Sequence, residues 1–150
     1  MNNYRISAAG IVLHDNKILL VRYKFQEERS FLVGPGGGVE IEEGMHQALV
    51  REVMEETGIE VKPGKMLLVE DLLSRKYRMV KIWFLCSVVG GQLSKTQEAA
   101  IEGIVDVHWY SKDQLKNEVV YPSIIMETEW NAFYDDNWQA KYLALSKADF

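Results

Sequence analysis

The stretch GGVEIEEGMHQALVREVMEETGI, Gly37 to Ile59, decides how this chain is read. Met45 to Thr57 contains neither proline nor glycine and is rich in good helix formers. It stops at Gly58, where a left-handed cap fits, so the pattern predicts a helix over 45–57. On 3.6-residue spacing Leu49, Val53 and Met54, with Val50 and Thr57, form a broad apolar face. Glu52, Glu55 and Glu56 fall at i, i+3 and i+4 on another. Like charges so placed cost roughly a few tenths of a kcal/mol per pair in water. The cost rises on burial, and a bound cation offsets it. Hard carboxylate oxygens favour Mg²⁺ or Mn²⁺ over zinc, which prefers the His and Cys that this stretch barely supplies. Arg51 reaches Glu55 at i+4 and is also placed to hold Glu43 or Glu52. Ala48, one turn before Glu52, is small enough to leave room above that face.

Ahead of the helix stands Gly34-Pro35-Gly36-Gly37-Gly38. It reads as a loop whose backbone takes positive φ and approaches a ligand closely, offering carbonyls to a metal and amides to phosphate oxygens.

Gly37, five residues, Glu43, seven residues, then Arg51-Glu52-Val53-Met54-Glu55-Glu56-Thr57-Gly58-Ile59 matches every fixed position of the Nudix hydrolase signature. On those 23 residues the chain resembles that family. The resemblance implies an α+β fold, an α/β/α sandwich with a central mixed sheet flanked by helices. It also implies Mg²⁺-dependent hydrolysis of a diphosphate in a nucleoside diphosphate linked to another group, without implying which substrate.

The rest of the chain suits that scale. One hundred and fifty residues make one domain, 1–150, able to bury roughly two-thirds of its unfolded surface. Charged residues at 26%, hydrophobic at 47% and three prolines describe an ordinary folded protein. A net charge of -5 argues against a nucleic-acid polymer as partner and leaves room for a small-molecule nucleotide derivative neutralised by metal and a few local cations. Cys86 is the single cysteine, so no internal disulfide forms, and its apolar run reads as buried. The N-terminus lacks the pattern of a signal peptide and no stretch of 18 apolar residues occurs, so a cytoplasmic protein with no membrane partner is expected.

Tyr4 to Leu13 and Ile18 to Tyr23 read as a hairpin around His14-Asp15-Asn16-Lys17. Lys24 to Ser30 reads as a charged loop and Phe31-Leu32-Val33 as a short strand. Lys62-Pro63-Gly64 reads as a turn between the helix and two strands, Met66 to Leu73 and Tyr77 to Val89. The second is apolar enough to lie centrally, and Gly90-Gly91 ends it. Gln92 to Gly103 reads as a loop, Ile104 to Tyr110 as a strand, and Ser111 as the cap of a short helix. Ser123 to Tyr134, after Pro122, reads as an amphipathic helix using Ile124, Ile125, Trp130 and Phe133. The segment 138–150 fits neither period.

Carried onto these positions, the resemblance gives Glu52, Glu55, Glu56 and the Gly36 carbonyl as metal ligands. Glu52 is the preferred general base, with Arg51 orienting the acidic cluster. Glu98 and Glu102, in the later loop, are alternative bases, further ligands or exposed charges, with Glu102 preferred. Arg22 is the candidate cation for a substrate phosphate, ahead of Lys24 and Arg29, and Gly37 and Gly38 are candidate substrate-binding positions. Tyr77, 18 positions beyond Ile59, stands where members cleaving dinucleoside polyphosphates often carry Tyr. The Leu73-Ser74-Arg75 stretch lacks the proline common in members cleaving ADP-ribose. His14, His46 and His108 are too scattered for a metal site and suit surface or structural roles. Tyr77, Trp83 and Phe31 are candidates to stack on a base, although aromatics at strand positions more often belong to the core. Relatives are often homodimers, and the C-terminal aromatics suit an interface or the core. Two rivals stand beside the hydrolase. A nucleotide-sensing module on the same fold commonly loses motif carboxylates that this chain keeps, and a prenyl diphosphate isomerase wants a catalytic Cys that Cys86 serves poorly.

Overall fold

The computed structural model describes residues 3–26 and 28–148. Among the described residues nine strands form one mixed sheet, and one long helix packs on a face of it. The first strand, β1 (Tyr4–His14), turns directly into β2 (Lys17–Lys24), with Leu13 opposite Ile18 and His14 opposite Lys17. Asp15 and Asn16 take φ of 49° and 60°, the left-handed pair that a two-residue hairpin turn requires. The hairpin expectation is met, but only the tip of β1 pairs with β2. From Tyr4 to Val12, β1 instead runs parallel to β6 (Arg78–Gly91), which lies antiparallel to β5 (Ile59–Leu73). β9 (Lys141–Lys147) completes that edge, parallel to β5. On the other side β2 carries β3 (Ser30–Val33) and β7 (Ile104–Tyr110), and β3 carries the two-residue β8 (Val120–Tyr121). Because β1 hands over from one partner set to the other, the mixed sheet curls into two lobes. The α+β architecture agrees with the expectation.

Each lobe has its own packing. Alternation along β1 sends Ala8 and Val12 to one face and Ala9, Ile11 and Leu13 to the other. On the first face α1 (Met45–Thr57) packs Leu49 and Val53 against Ile82, Phe84 and Cys86. The second face buries Trp83 and Leu85 with Ile124, Ile125 and Phe133, which come from α3 (Ile124–Glu127) and the 3-10 turn Trp130–Tyr134. α1 ends as expected at Gly58, with φ 77° and its N–H bonded to the Met54 carbonyl. Cys86 is a buried free thiol whose pKa is pushed up to about 12 by that burial.

Several sequence expectations are corrected. Gly36–Gly38 is not a positive-φ loop but a short strand, β4, antiparallel to β1 with Ala8 opposite Gly37. Met54 is 39% exposed and leaves the apolar face. Ala48 is fully buried. Lys62-Pro63-Gly64 is no turn, because β5 runs through it with irregular register opposite Cys86, as a bulge accommodates a proline. Gln97–Ile101 forms a short helix, α2, capped by Thr96, whose hydroxyl accepts from the Ala99 amide. The helix expected over 123–134 breaks at Thr128, which is extended. There the Trp130 indole donates to the Ile125 carbonyl and Lys112 to the Thr128 carbonyl. These contacts satisfy acceptors that a continuous helix would have used. In the tail, Trp138 packs on Phe133 and donates to the Leu67 carbonyl, so it serves the core, whereas Tyr142 stays exposed on β9.

Candidate active site

α1 and β4 meet at the end of the sheet. A Cβ on Gly37 would lie 2.5 Å from the Glu52 carboxylate, so only glycine lets the strand touch that group. Glu52 is 6% exposed and Glu56 1%, while Glu55 is half-buried. Arg51 gathers the acids around itself. Its Nε and Nη2 donate to Glu43 at 2.7 and 2.8 Å, its Nη1 to Glu52 Oε1 at 2.9 Å and to Glu55 at 3.4 Å, and Nη2 also to the Gly38 carbonyl at 3.1 Å. Pairing with Arg51 pulls the Glu43 pKa down to about 2. At Glu52 the balance is reversed, since burial raises its pKa more than Arg51 lowers it.

Glu56 turns inward, where its Oε1 accepts from the Gly36 amide at 3.0 Å. Burial holds its pKa well above the ordinary carboxylate value. The Gly36 contact in the structure is therefore an amide to Glu56. The second oxygens, Glu52 Oε2 and Glu56 Oε2, are buried without a hydrogen-bond partner among the described residues. A buried carboxylate oxygen left without a partner is costly unless a cation or a proton satisfies it.

α2 brings the remaining acid. The Thr96 hydroxyl donates to the Glu55 carbonyl, fixing α2 against the C-terminal half of α1. Glu102, at the α2 cap, then meets Glu52 and Glu55, with one oxygen of each within 4.8 Å of the others. Burial first, then the charges of Glu52 and Glu55, raise the Glu102 pKa. Glu98 lies exposed in the first turn of α2, outside this group. Buried orphaned oxygens and an all-carboxylate donor set fit a hard divalent cation.

The predicted cation is displaced. Arg22 faces away from the carboxylates and is held by Glu118 at 2.9 and 3.0 Å and by the Ser30 hydroxyl at 2.7 Å. Arg5, which the sequence reading did not single out, lies over Gly38 and stacks on the Tyr77 ring at 5.2 Å. Its charge is felt by Glu52 and Glu102. Nothing in the sequence marks Arg5, because only the pairing of β1 with β4 carries it to the motif. Tyr77 thus stands at the site through Arg5, whereas Phe31 and Trp83 are buried core. His46 packs edge-on to Phe84, a structural role.

The NUDIX domain model matches residues 4–128, from β1 through α3. The chain belongs to the Nudix family. It is 36% identical over 96 residues to the ADP-ribose pyrophosphatase of Methanocaldococcus jannaschii, covering 63% of this chain and 57% of that one. To the 8-oxo-dGDP phosphatase of Danio rerio it is 34% identical over 105 residues, 69% of this chain and 31% of that protein. The chain thus spans between about a third and somewhat over half the length of these Nudix relatives. The crystal structure of a NUDIX hydrolase from Nitrosomonas europaea superposes with a TM-score of 0.73 at 16% identity, covering 97% of this chain and 81% of that one. An ADP-ribose pyrophosphatase from Streptococcus suis superposes with a TM-score of 0.68 at 20% identity over 92% and 98%. At such identities the structures share the Nudix fold.

Proposed function

We propose that this Nudix protein is a hydrolase that cleaves the phosphoric anhydride of a nucleoside diphosphate linked to another moiety, releasing a nucleoside monophosphate and a phosphorylated remainder. One observation carries the reading: Glu52, Glu55 and Glu102 converge beside a glycine strand, with Glu52 and Glu56 each keeping a buried oxygen unpaired. Glu52, Glu55, Glu56 and Glu102 would hold the divalent cation, Mg²⁺ or Mn²⁺. Such a cation neutralises phosphoryl charge and lowers the pKa of a water.

The chain's own residues supply the rest. Arg51 occupies Glu52 Oε1 and leaves Oε2 directed into the site, so Glu52 is positioned to take the proton of an attacking water. Burial raises its basicity. Glu102 is the second candidate for that proton. Arg5 takes the role first given to Arg22 and meets the diphosphate opposite the acids, with Tyr77 beneath its guanidinium. The activities for which the relatives are named, on ADP-ribose and 8-oxo-dGDP, support a nucleoside diphosphate derivative as the substrate class. A cytoplasmic location belongs to the same reading and is supported by the unpaired thiol of Cys86. No described helix is long and apolar enough to cross a membrane.

The test incubates the protein with a panel of nucleoside diphosphate derivatives, with and without Mg²⁺, and measures monophosphate release. Mg²⁺-dependent release from at least one member is expected. Binding without release across the panel would make the protein a nucleotide sensor instead.

A further inference from the structure

On the face of the sheet opposite α1, one cross-strand row runs from Gly38 through Ser7 and Lys81 to Glu70. Lys81 and Glu70 are direct neighbours of opposite charge on antiparallel strands, an arrangement that ordinarily closes into an ion pair. Here it does not. The Trp83 indole, two residues along β6, donates to Glu70 Oε1 at 2.6 Å and draws that carboxylate aside. The Lys81 ammonium lies instead on the Trp83 ring, 4.7 Å from its centroid. Trp83 is fully buried and fixes both partners from below. Lys81 and Glu70 are each partly buried, the Lys81 ammonium feels the Glu56 charge as well as that of Glu70, and among the described residues no hydrogen bond or ion pair closes on that ammonium or on the second Glu70 oxygen.

Strands lie about 4.8 Å apart, which puts Lys81 roughly 10 Å and Glu70 roughly 14 Å from Gly38. A nucleoside extended from a diphosphate held at β4 and Arg5 passes over that row. A single phosphate would find Glu70 repulsive there. A group with one N–H beside one acceptor satisfies both side chains at once, the N–H giving to Glu70 and the acceptor receiving from Lys81. Every common nucleobase has such an edge; a sugar phosphate or pyrophosphate has no planar edge of that kind.

We propose that Lys81 and Glu70, held apart by Trp83, form a base-reading subsite for a planar heterocycle presenting a donor beside an acceptor. The placement rests on the carboxylate site being where the diphosphate sits. It is tested without metal or turnover, using adenosine, guanosine, cytidine and uridine as probes and the Trp83 indole N–H resonance as the readout. At least one nucleoside should shift that resonance in the wild type. Glu70→Gln, which keeps an acceptor for the indole, and Lys81→Met should each weaken that binding about tenfold or more. In the hydrolysis panel the same variants should lose discrimination between bases through KM at little-changed kcat. Three results would overturn the subsite: no nucleoside moves the resonance, the variants bind nucleosides as the wild type does, or pyrophosphate produces the same shift. Nucleoside binding with no hydrolysis of any panel member would sink the hydrolase reading and leave this one standing.

Discussion

Glu52 and Glu56 are one helical turn apart, and each has one oxygen committed and one left over. Arg51 holds the first, the Gly36 amide the second, and each remaining oxygen is buried without a hydrogen-bond partner among the described residues. If Glu52 takes the proton, Glu52→Gln should lower turnover by about 10²–10⁴-fold. Circular dichroism should show the fold unchanged, and a variant near the wild-type rate would move the base to Glu102. The same crowding makes the metal a stabiliser. Ligands that bind only the folded state add RT ln(1 + [L]/Kd), about 2.7 kcal/mol at a hundredfold excess over Kd. Mg²⁺ should therefore raise Tm in the wild type and do so much less in Glu56→Gln. An equal rise in both would remove Glu56 from the ligand set.

Among the elements, α1 reads best from sequence because its signals are local: unbroken helix formers, a glycine cap, and acids at fixed offsets. Gly58 has a positive φ, and a Cβ there would lie 2.3 Å from the Gln92 carbonyl oxygen. Gly58→Ala should cost about 2–4 kcal/mol in urea unfolding, the sum of left-handed strain and overpacking. Gly37→Ala makes a different prediction, since its Cβ meets Glu52. Activity should fall more than tenfold while Tm moves little. α2 escaped the reading because five residues carry too little period to see, and only its cap chemistry at Thr96 marks it. The expected helix over 123–134 failed for the opposite reason. Its amphipathic pattern is real, but the Trp130 indole and Lys112 claim the carbonyls around Thr128.

Across the whole molecule, the two lobes are joined at β1, and long-range side-chain pairs tie down what the ladder leaves loose. Arg22 on β2 grips Glu118 just before β8, and that bond holds the Glu118 pKa below its ordinary 4.5. A carboxylate depressed in the folded state stabilises above its unfolded pKa and loses that contribution as pH falls towards the folded one. The Glu118→Gln variant should thus be less stable at neutral pH, and its Tm should fall less steeply than the wild type's below about pH 4.5. Parallel acid arms would show that the pair contributes nothing. At this scale Arg22, near the motif in sequence, has its guanidinium taken up by Glu118 and the Ser30 hydroxyl.

What the sequence by itself determined was the family motif, the helix that carries it, the glycine that ends it and the acids on its face. All depend on residues within a few turns of one another, where spacing and side-chain chemistry suffice. Only the tertiary structure decided that Glu102 rather than Glu98 joins the cluster, that Arg5 rather than Arg22 lies beside the glycine strand, and that the Trp83 indole holds Glu70 while its ring carries Lys81. Glu102 arrives through the docking of α2 on α1, and the other meetings depend on strand register between segments far apart in the chain. A one-residue slip in register would turn Arg5, Lys81 or Glu70 to the other face.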